Sequence, residues 1–132
     1  MYDEILMKLN KKAIKKGEVP VSCIIVYKNK IIAKAYNKRI CKKDPMGHAE
    51  IIVIKKASKK LKTWNLSDCE LYVSLKPCKM CNEIIKEARI KCVYYILESE
   101  KEINNTIEYI EYKTPKKEEF KNQIKNFFKD KR

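Results

Sequence analysis

Residues 70–97, ELYVSLKPCKMCNEIIKEARIKCVYYIL, hold the reading on which the fold turns. ELYVSL (70–75) is apolar enough for a central strand. Pro77 then stands at a helix start, where its missing N–H costs nothing. That helix is predicted to run to about Arg89, and CVYYIL (92–97) resumes strand character. Strand, helix, strand is the alternation of an α/β protein.

The flanking sequence extends this pattern in both directions. Upstream, VPVSCIIVY (19–27), a turn at Lys28, Asn29 and Lys30, and IIAKAY (31–36) predict a strand hairpin. Before it, Ile5, Leu6, Leu9 and Ala13 recur at helical spacing through residues 2–16, with Gly17 as a stop. NKRICKKDPMG (37–47) ends in turn formers, and AEIIVIKKASKKLK then resumes an amphipathic helical pattern to residue 62. Downstream, TIEYIEYK (106–113) is a fifth strand candidate, and Pro115 to Arg132 read as a basic amphipathic helix carrying Phe120, Ile124, Phe127 and Phe128. The order α β β α β α β β α predicts one domain over residues 1–132, a three-layer α-β-α sandwich around a mixed five-stranded sheet.

Composition narrows the function classes. No apolar run approaches the roughly 18 residues of a membrane span, and the first residues lack the continuous apolar core of a secretory signal. The expected compartment is therefore cytoplasmic, with no membrane partner. Cysteines stand at 23, 41, 69, 78, 81 and 92 and are expected to be reduced thiols in that setting. Only Cys78 and Cys81 have metal-ligand spacing. The net charge of +14 favours polyanionic partners. Of the 31 basic residues all but Arg39, Arg89 and Arg132 are lysine, and Ile and Asn are also frequent, so AT-biased coding explains the charge equally well.

The chemistry is concentrated in two short motifs, His48-Ala49-Glu50 and Pro77-Cys78-Lys79-Met80-Cys81. A Cys-x-x-Cys pair on the first turn of a helix brings two thiolates to one ion, and the positive end of the helix dipole favours the thiolate form. His48 opens the preceding helix and is the third candidate ligand. Three protein ligands leave one tetrahedral position for water, the arrangement of a catalytic zinc. His48 is the only histidine, which excludes a Cys2His2 finger, whereas a fourth cysteine from 23, 41, 69 or 92 remains able to close the site. Zinc lowers the pKa of bound water to about 7, and a carboxylate beside it, Glu50, can carry protons from that water to a ring nitrogen and a departing amine. A lone histidine at a helix start is ordinarily a cap, and a lone Cys-x-x-Cys is often a structural half-site or a redox pair. Their conjunction is what points to a metal enzyme.

The combined pattern is the signature of zinc-dependent nucleobase deaminases. Beyond it, the chain resembles the bacterial tRNA-specific adenosine deaminases, of the cytidine deaminase-like superfamily, through GEVPVSCIIV (17–26), AYNKR (35–39), DPMGHAEI (44–51), LYVSLKPCKMC (71–81) and ARIKCVYY (88–95). The resemblance implies a cytidine deaminase-like fold, one Zn2+ per chain on His48, Cys78 and Cys81, Glu50 as the catalytic proton carrier, and a homodimer. It implies conversion of the wobble adenosine of a tRNA anticodon loop, or of a related single-stranded nucleic acid, to inosine. Asn37 would then hydrogen-bond the edge of the flipped-out base, although a turn residue after a strand would look the same. Val21 and Pro20 would wall the pocket, the Ala49 backbone would orient the base, and Pro77 would lie beside it. Two alternatives stay open: a deaminase of a free base or nucleoside such as cytosine, cytidine or guanine, and a non-catalytic zinc-stabilised nucleic-acid-binding module.

The chain departs from that family in three places, one of them Ser22, which stands after Val21 where another small residue is usual. Lys76 stands where an acidic residue usually precedes the Pro-Cys pair. After Leu97 only ESEKEINN (98–105) precedes the next strand, with Ser99 at the place of an Asp. Parallel neighbouring strands ordinarily need a crossover of about a dozen residues. Eight are too few, so strands 92–97 and 106–113 are expected to pair antiparallel or not to be neighbours.

Overall fold

A computed structural model describes residues 1–99 and 106–130. Its elements follow the predicted order: α1 (Tyr2–Lys15), β1 (Ser22–Tyr27), β2 (Lys30–Tyr36), α2 (Ala49–Leu61), β3 (Cys69–Leu75), α3 (Lys79–Glu87), β4 (Cys92–Leu97), β5 (Glu108–Glu111) and α4 (Lys117–Asp130). The sheet order is β2-β1-β3-β4-β5. β1 is antiparallel to both β2 and β3, while β3, β4 and β5 run parallel, which makes the sheet mixed as expected.

Alternation along the strands builds two cores. Cys23, Ile25, Leu71, Val73 and Val93 face α2 and α3, packing on Ala49, Val53, Ala57 and Ile85. Ile24, Val26, Tyr72 and Ile96 face the other way, onto Leu6, Met7 and Leu9 of α1 and Phe120 of α4. The period of two in the strands and the apolar stripes of the helices therefore make the three layers. Among the described residues no helix is long and apolar enough to cross a membrane.

Local chemistry accounts for the boundaries. Lys28 and Asn29 both take positive φ, 50° and 64°, in the two-residue turn between Tyr27 and Lys30, the backbone of a primed hairpin turn. β1 starts at Ser22, later than the expected residue 19, because Pro20 has no N–H and the Val21 N–H turns back to the Val19 carbonyl at 2.8 Å. Pro77 lies one residue before the α3 N-cap, Cys78, so the helix begins at Lys79 and not at the proline.

The expectation for the last two strands is overturned. β4 and β5 are parallel neighbours, in register from Cys92↔Glu108 to Tyr95↔Glu111. β5 is shorter than the strand read from sequence and begins at Glu108, so the connection is residues 98–107. Returning past a six-residue strand requires roughly 20 Å, and ten residues can reach about 33 Å when extended. A helix-bearing crossover needs a dozen residues; a return without one does not. Residues 100–105 of this connection lie outside the described residues.

Candidate active site

The mixed topology brings the start of β1 and the ends of β2, β3 and β4 to one edge of the sheet. Ser22 pairs with Tyr36, Cys23 with Val73, and Leu75 with Leu97. The residues just beyond these points are Val21, Asn37, Lys76 and Glu98, and they line a cavity of about 670 Å³ together with His48, Glu50 and Cys78.

Two helices start at this cavity. His48 is the N-cap of α2 (φ −73°, ψ 140°) and Cys78 the N-cap of α3 (φ −72°, ψ 172°), and neither side chain makes a capping hydrogen bond. An N-cap side chain ordinarily turns back to the N2 or N3 backbone N–H. Here both are released toward each other, with His48 Nδ1 4.0 Å from Cys78 Sγ. Cys81, three residues into its own helix, is fully buried and completes the cluster, all three ligand atoms lying within 4.8 Å of one another.

These separations suit zinc. A tetrahedral ion with Zn–S and Zn–N bonds of the usual length would hold such atoms about 3.5–3.8 Å apart. Among the described residues no fourth ligand atom joins the group, and all six cysteines are free thiols, so neither Cys23, Cys41, Cys69 nor Cys92 closes the site. The sulfurs are unequal. The hydrogen bond with Cys81 lowers the Cys78 thiol to about 5 against the opposing effect of burial, while the same bond and burial raise Cys81.

Glu50, two residues after His48, is 4% exposed, and its Oε1 has no hydrogen-bond partner. Burial raises its carboxyl to about 7. A buried carboxylate with an open oxygen beside two thiols and an imidazole is what a shared water and a metal would satisfy.

A model of the MafB19-like deaminase family matches residues 2–132. The chain belongs to that family. Over 92 residues, 70% of the chain, this MafB19-like deaminase is 45% identical to a tRNA-specific adenosine deaminase of Aquifex aeolicus, covering 61% of that protein. Over 95 residues, 72% of the chain, it is 40% identical to a tRNA-specific adenosine deaminase of Bacillus subtilis, covering 59%. It thus spans about three fifths of the length of these curated relatives. A solved structure from a study of A-to-I editing by tRNA:A34 deaminases superposes with a TM-score of 0.81 at 27% identity, over 91% of this chain and 96% of that one. The guanine deaminase of Bacillus subtilis superposes at 0.68 with 28% identity, over 96% and 94%. The cytidine deaminase-like architecture expected from sequence is the one observed.

The other sequence-predicted residues divide around the deaminase cavity. Asn37 and Val21 line it. Ala49 is wholly buried, and its N–H donates to Asn37 Oδ1 at 2.8 Å, which fixes the Asn37 amide with its NH2 as the remaining donor. Pro20 and Pro77 are buried and are not among the lining residues.

Sequence reading missed the residues that shape the rim. Lys76, Glu98 and Ser99 line the cavity, as do Arg39 and, from α4, Phe128, which is half exposed. It also missed Glu18, 1% exposed, whose two carboxylate oxygens accept the Ile40 and Cys41 N–H groups and brace the loop leading to His48. That loop closes where Lys38 N–H meets the Gly47 carbonyl at 2.7 Å, and a Cβ at Gly47 would fall 2.7 Å from the Lys38 and Arg39 backbone. The visible signal was a charged residue between Gly17 and an apolar strand, which by itself reads as solvent-facing.

Proposed function

We propose that this chain hydrolyses adenosine to inosine and ammonia in tRNA, at the wobble position of the anticodon, or in a related single-stranded nucleic acid, using one Zn2+ held by His48, Cys78 and Cys81. The observation that carries the reaction type is the buried Glu50 carboxylate, its Oε1 without a hydrogen-bond partner, beside those three ligand atoms. A purely structural metal site has no use for it, which disfavours a binding module without catalysis. When bound, zinc supplies Lewis-acid activation of a water molecule.

Everything else falls to the protein. Glu50, buried beside the three ligand atoms with Oε1 free of a protein partner, would take one proton from the attacking water and give it to the purine ring nitrogen, then carry the water's second proton to the leaving amine. Asn37, its oxygen held by Ala49, presents its NH2 to an acceptor on the base edge. Val21 supplies apolar wall, and Pro20 and Pro77 are buried and adjoin lining residues along the chain.

The substrate reading is supported by the 40–45% identity to tRNA-specific adenosine deaminases over about 70% of the chain. We further propose, on the family resemblance read from the sequence, that the enzyme works in the cytoplasm as a homodimer. A screen of anticodon stem-loop RNA, single-stranded DNA, adenosine, cytidine and guanine, with zinc content measured in parallel, tests the reading. RNA deamination with binding that weakens steeply as salt rises is the expected result. Turnover of a free base or nucleoside with no affinity for RNA would overturn it in favour of the guanine deaminase-like alternative.

A further inference from the structure

Lys76 occupies an unusual setting for a lysine. Its ammonium lies 5.1 Å from the centre of the Tyr95 ring and 5.0 Å from that of Tyr109, and its backbone N–H bonds the Leu97 carbonyl at 2.9 Å. Two aromatic faces and a tethered backbone hold the charge in place from below. Its counter-ion is different in kind. Glu98 Oε1 is 2.9 Å away, and Tyr95 OH donates to Glu98 Oε2, yet the Glu98 side chain is 61% exposed while that of Lys76 is only 18% exposed. The cation is built in and the anion sits at the rim.

Both residues line the cavity that contains His48, Glu50 and Cys78. A base seated on Glu50 and Asn37 must send its ribose and whatever the ribose carries outward, along the wall where Lys76 stands. We infer that Lys76 is a specificity-determining residue of this pocket, receiving the phosphate attached to the target nucleoside in place of Glu98. The inference rests on the deaminase reading above. A phosphate brings at least the charge of the carboxylate it displaces, and a rim ion pair screened by water is weakly held, so the exchange favours phosphorylated substrates. A free base or unphosphorylated nucleoside leaves the Lys76–Glu98 pair closed and gains nothing from it.

The test uses Lys76→Gln and Glu98→Gln in the zinc-loaded protein, with anticodon stem-loop RNA, adenosine 5′-monophosphate and adenosine. Lys76→Gln is expected to raise KM for RNA about fivefold to tenfold, with kcat within about threefold and the adenosine KM unmoved. The salt dependence of RNA binding should fall by about one phosphate contact, a slope change of roughly 0.7. Glu98→Gln is expected to lower KM for RNA, because it removes the competitor and leaves the cation. Preference for the monophosphate over adenosine, lost in Lys76→Gln, assigns the contact to a terminal phosphate; an effect confined to RNA assigns it to the chain. Loss of zinc and kcat together in Lys76→Gln would show that it only braces the Cys78 segment and would overturn the inference, as would a higher KM in Glu98→Gln. RNA affinity measured in parallel keeps the two readings apart. A protein that deaminates none of these substrates but loses RNA affinity in Lys76→Gln defeats the function and keeps the contact, whereas an active enzyme indifferent to Lys76→Gln does the reverse.

Discussion

Glu18 and Glu50 are both withdrawn from solvent, 1% and 4% exposed, and they have opposite electrostatic character. Burial pushes Glu18 up, but the Cys41 and Ile40 N–H groups outweigh it and hold the carboxyl below its usual range. Burial pushes Glu50 up to about 7, and its Oε1 is left without a partner. Burial alone is therefore not informative about role. A carboxylate with both oxygens engaged by backbone donors is a brace, whereas one with an unpartnered oxygen beside two thiols and an imidazole is free for the proton-carrying role proposed for Glu50.

The sharpest way to break this contrast is to remove the reagent. Glu50→Ala should cut turnover by roughly 10²–10⁴-fold while zinc content and the circular dichroism of the fold are retained. Wild-type-like kcat in that variant would mean that the proton carrier lies elsewhere.

The pH dependence of stability should separate the two residues by sign. In chelator-treated protein the folded state holds the Glu50 proton more tightly than the unfolded chain. Stability is therefore complete below about pH 4.5 and is lost as pH rises through about 7, by at most about 3 kcal/mol. Glu18 acts the other way, contributing above its unfolded pKa and losing that contribution as pH falls through its lowered folded value. Urea titrations across pH should show Glu50→Gln flattening the neutral limb and Glu18→Gln the acid limb.

A smaller effect is expected from removing the brace. Glu18→Ala leaves the Ile40 and Cys41 N–H groups unpaired and should cost about 2 kcal/mol by urea unfolding, with the loosened His48 loop raising KM more than it lowers kcat. The smallest effect provides a neutral reference. Tyr109 OH donates to the buried Asn82 Oδ1 next to Cys81, and Tyr109→Phe should cost about 1 kcal/mol of stability with metal content preserved.

Much of the site was legible because its chemistry is carried by local spacing. His48 and Glu50 are two residues apart and Cys78 and Cys81 three, so each pair is placed by its own helix start whatever the rest of the chain does. Glu18, Lys76, Glu98 and Phe128 were not legible as rim or brace residues. Their roles depend on contacts between segments distant in sequence, and a charged side chain in a short loop carries no mark of whether it will be covered. The parallel pairing of β4 and β5 escaped for a related reason: the length rule assumes a helix in the crossover, and the late start of the short β5 leaves ten residues, 98–107, for the connection.

Sequence by itself determined the order of elements, the two apolar faces of the sheet and the three candidate metal ligands, because these follow from periodicity and from donor types at fixed offsets. Tertiary structure decided that the side chains at two helix caps, His48 and Cys78, come within 4.0 Å of one another, that Asn37 is oriented by Ala49, and that Lys76 rests on two tyrosines at the cavity rim. These arise only when β1, β2, β3 and β4 bring their ends to one edge of the sheet, and that convergence is a property of the strand order and not of any segment alone.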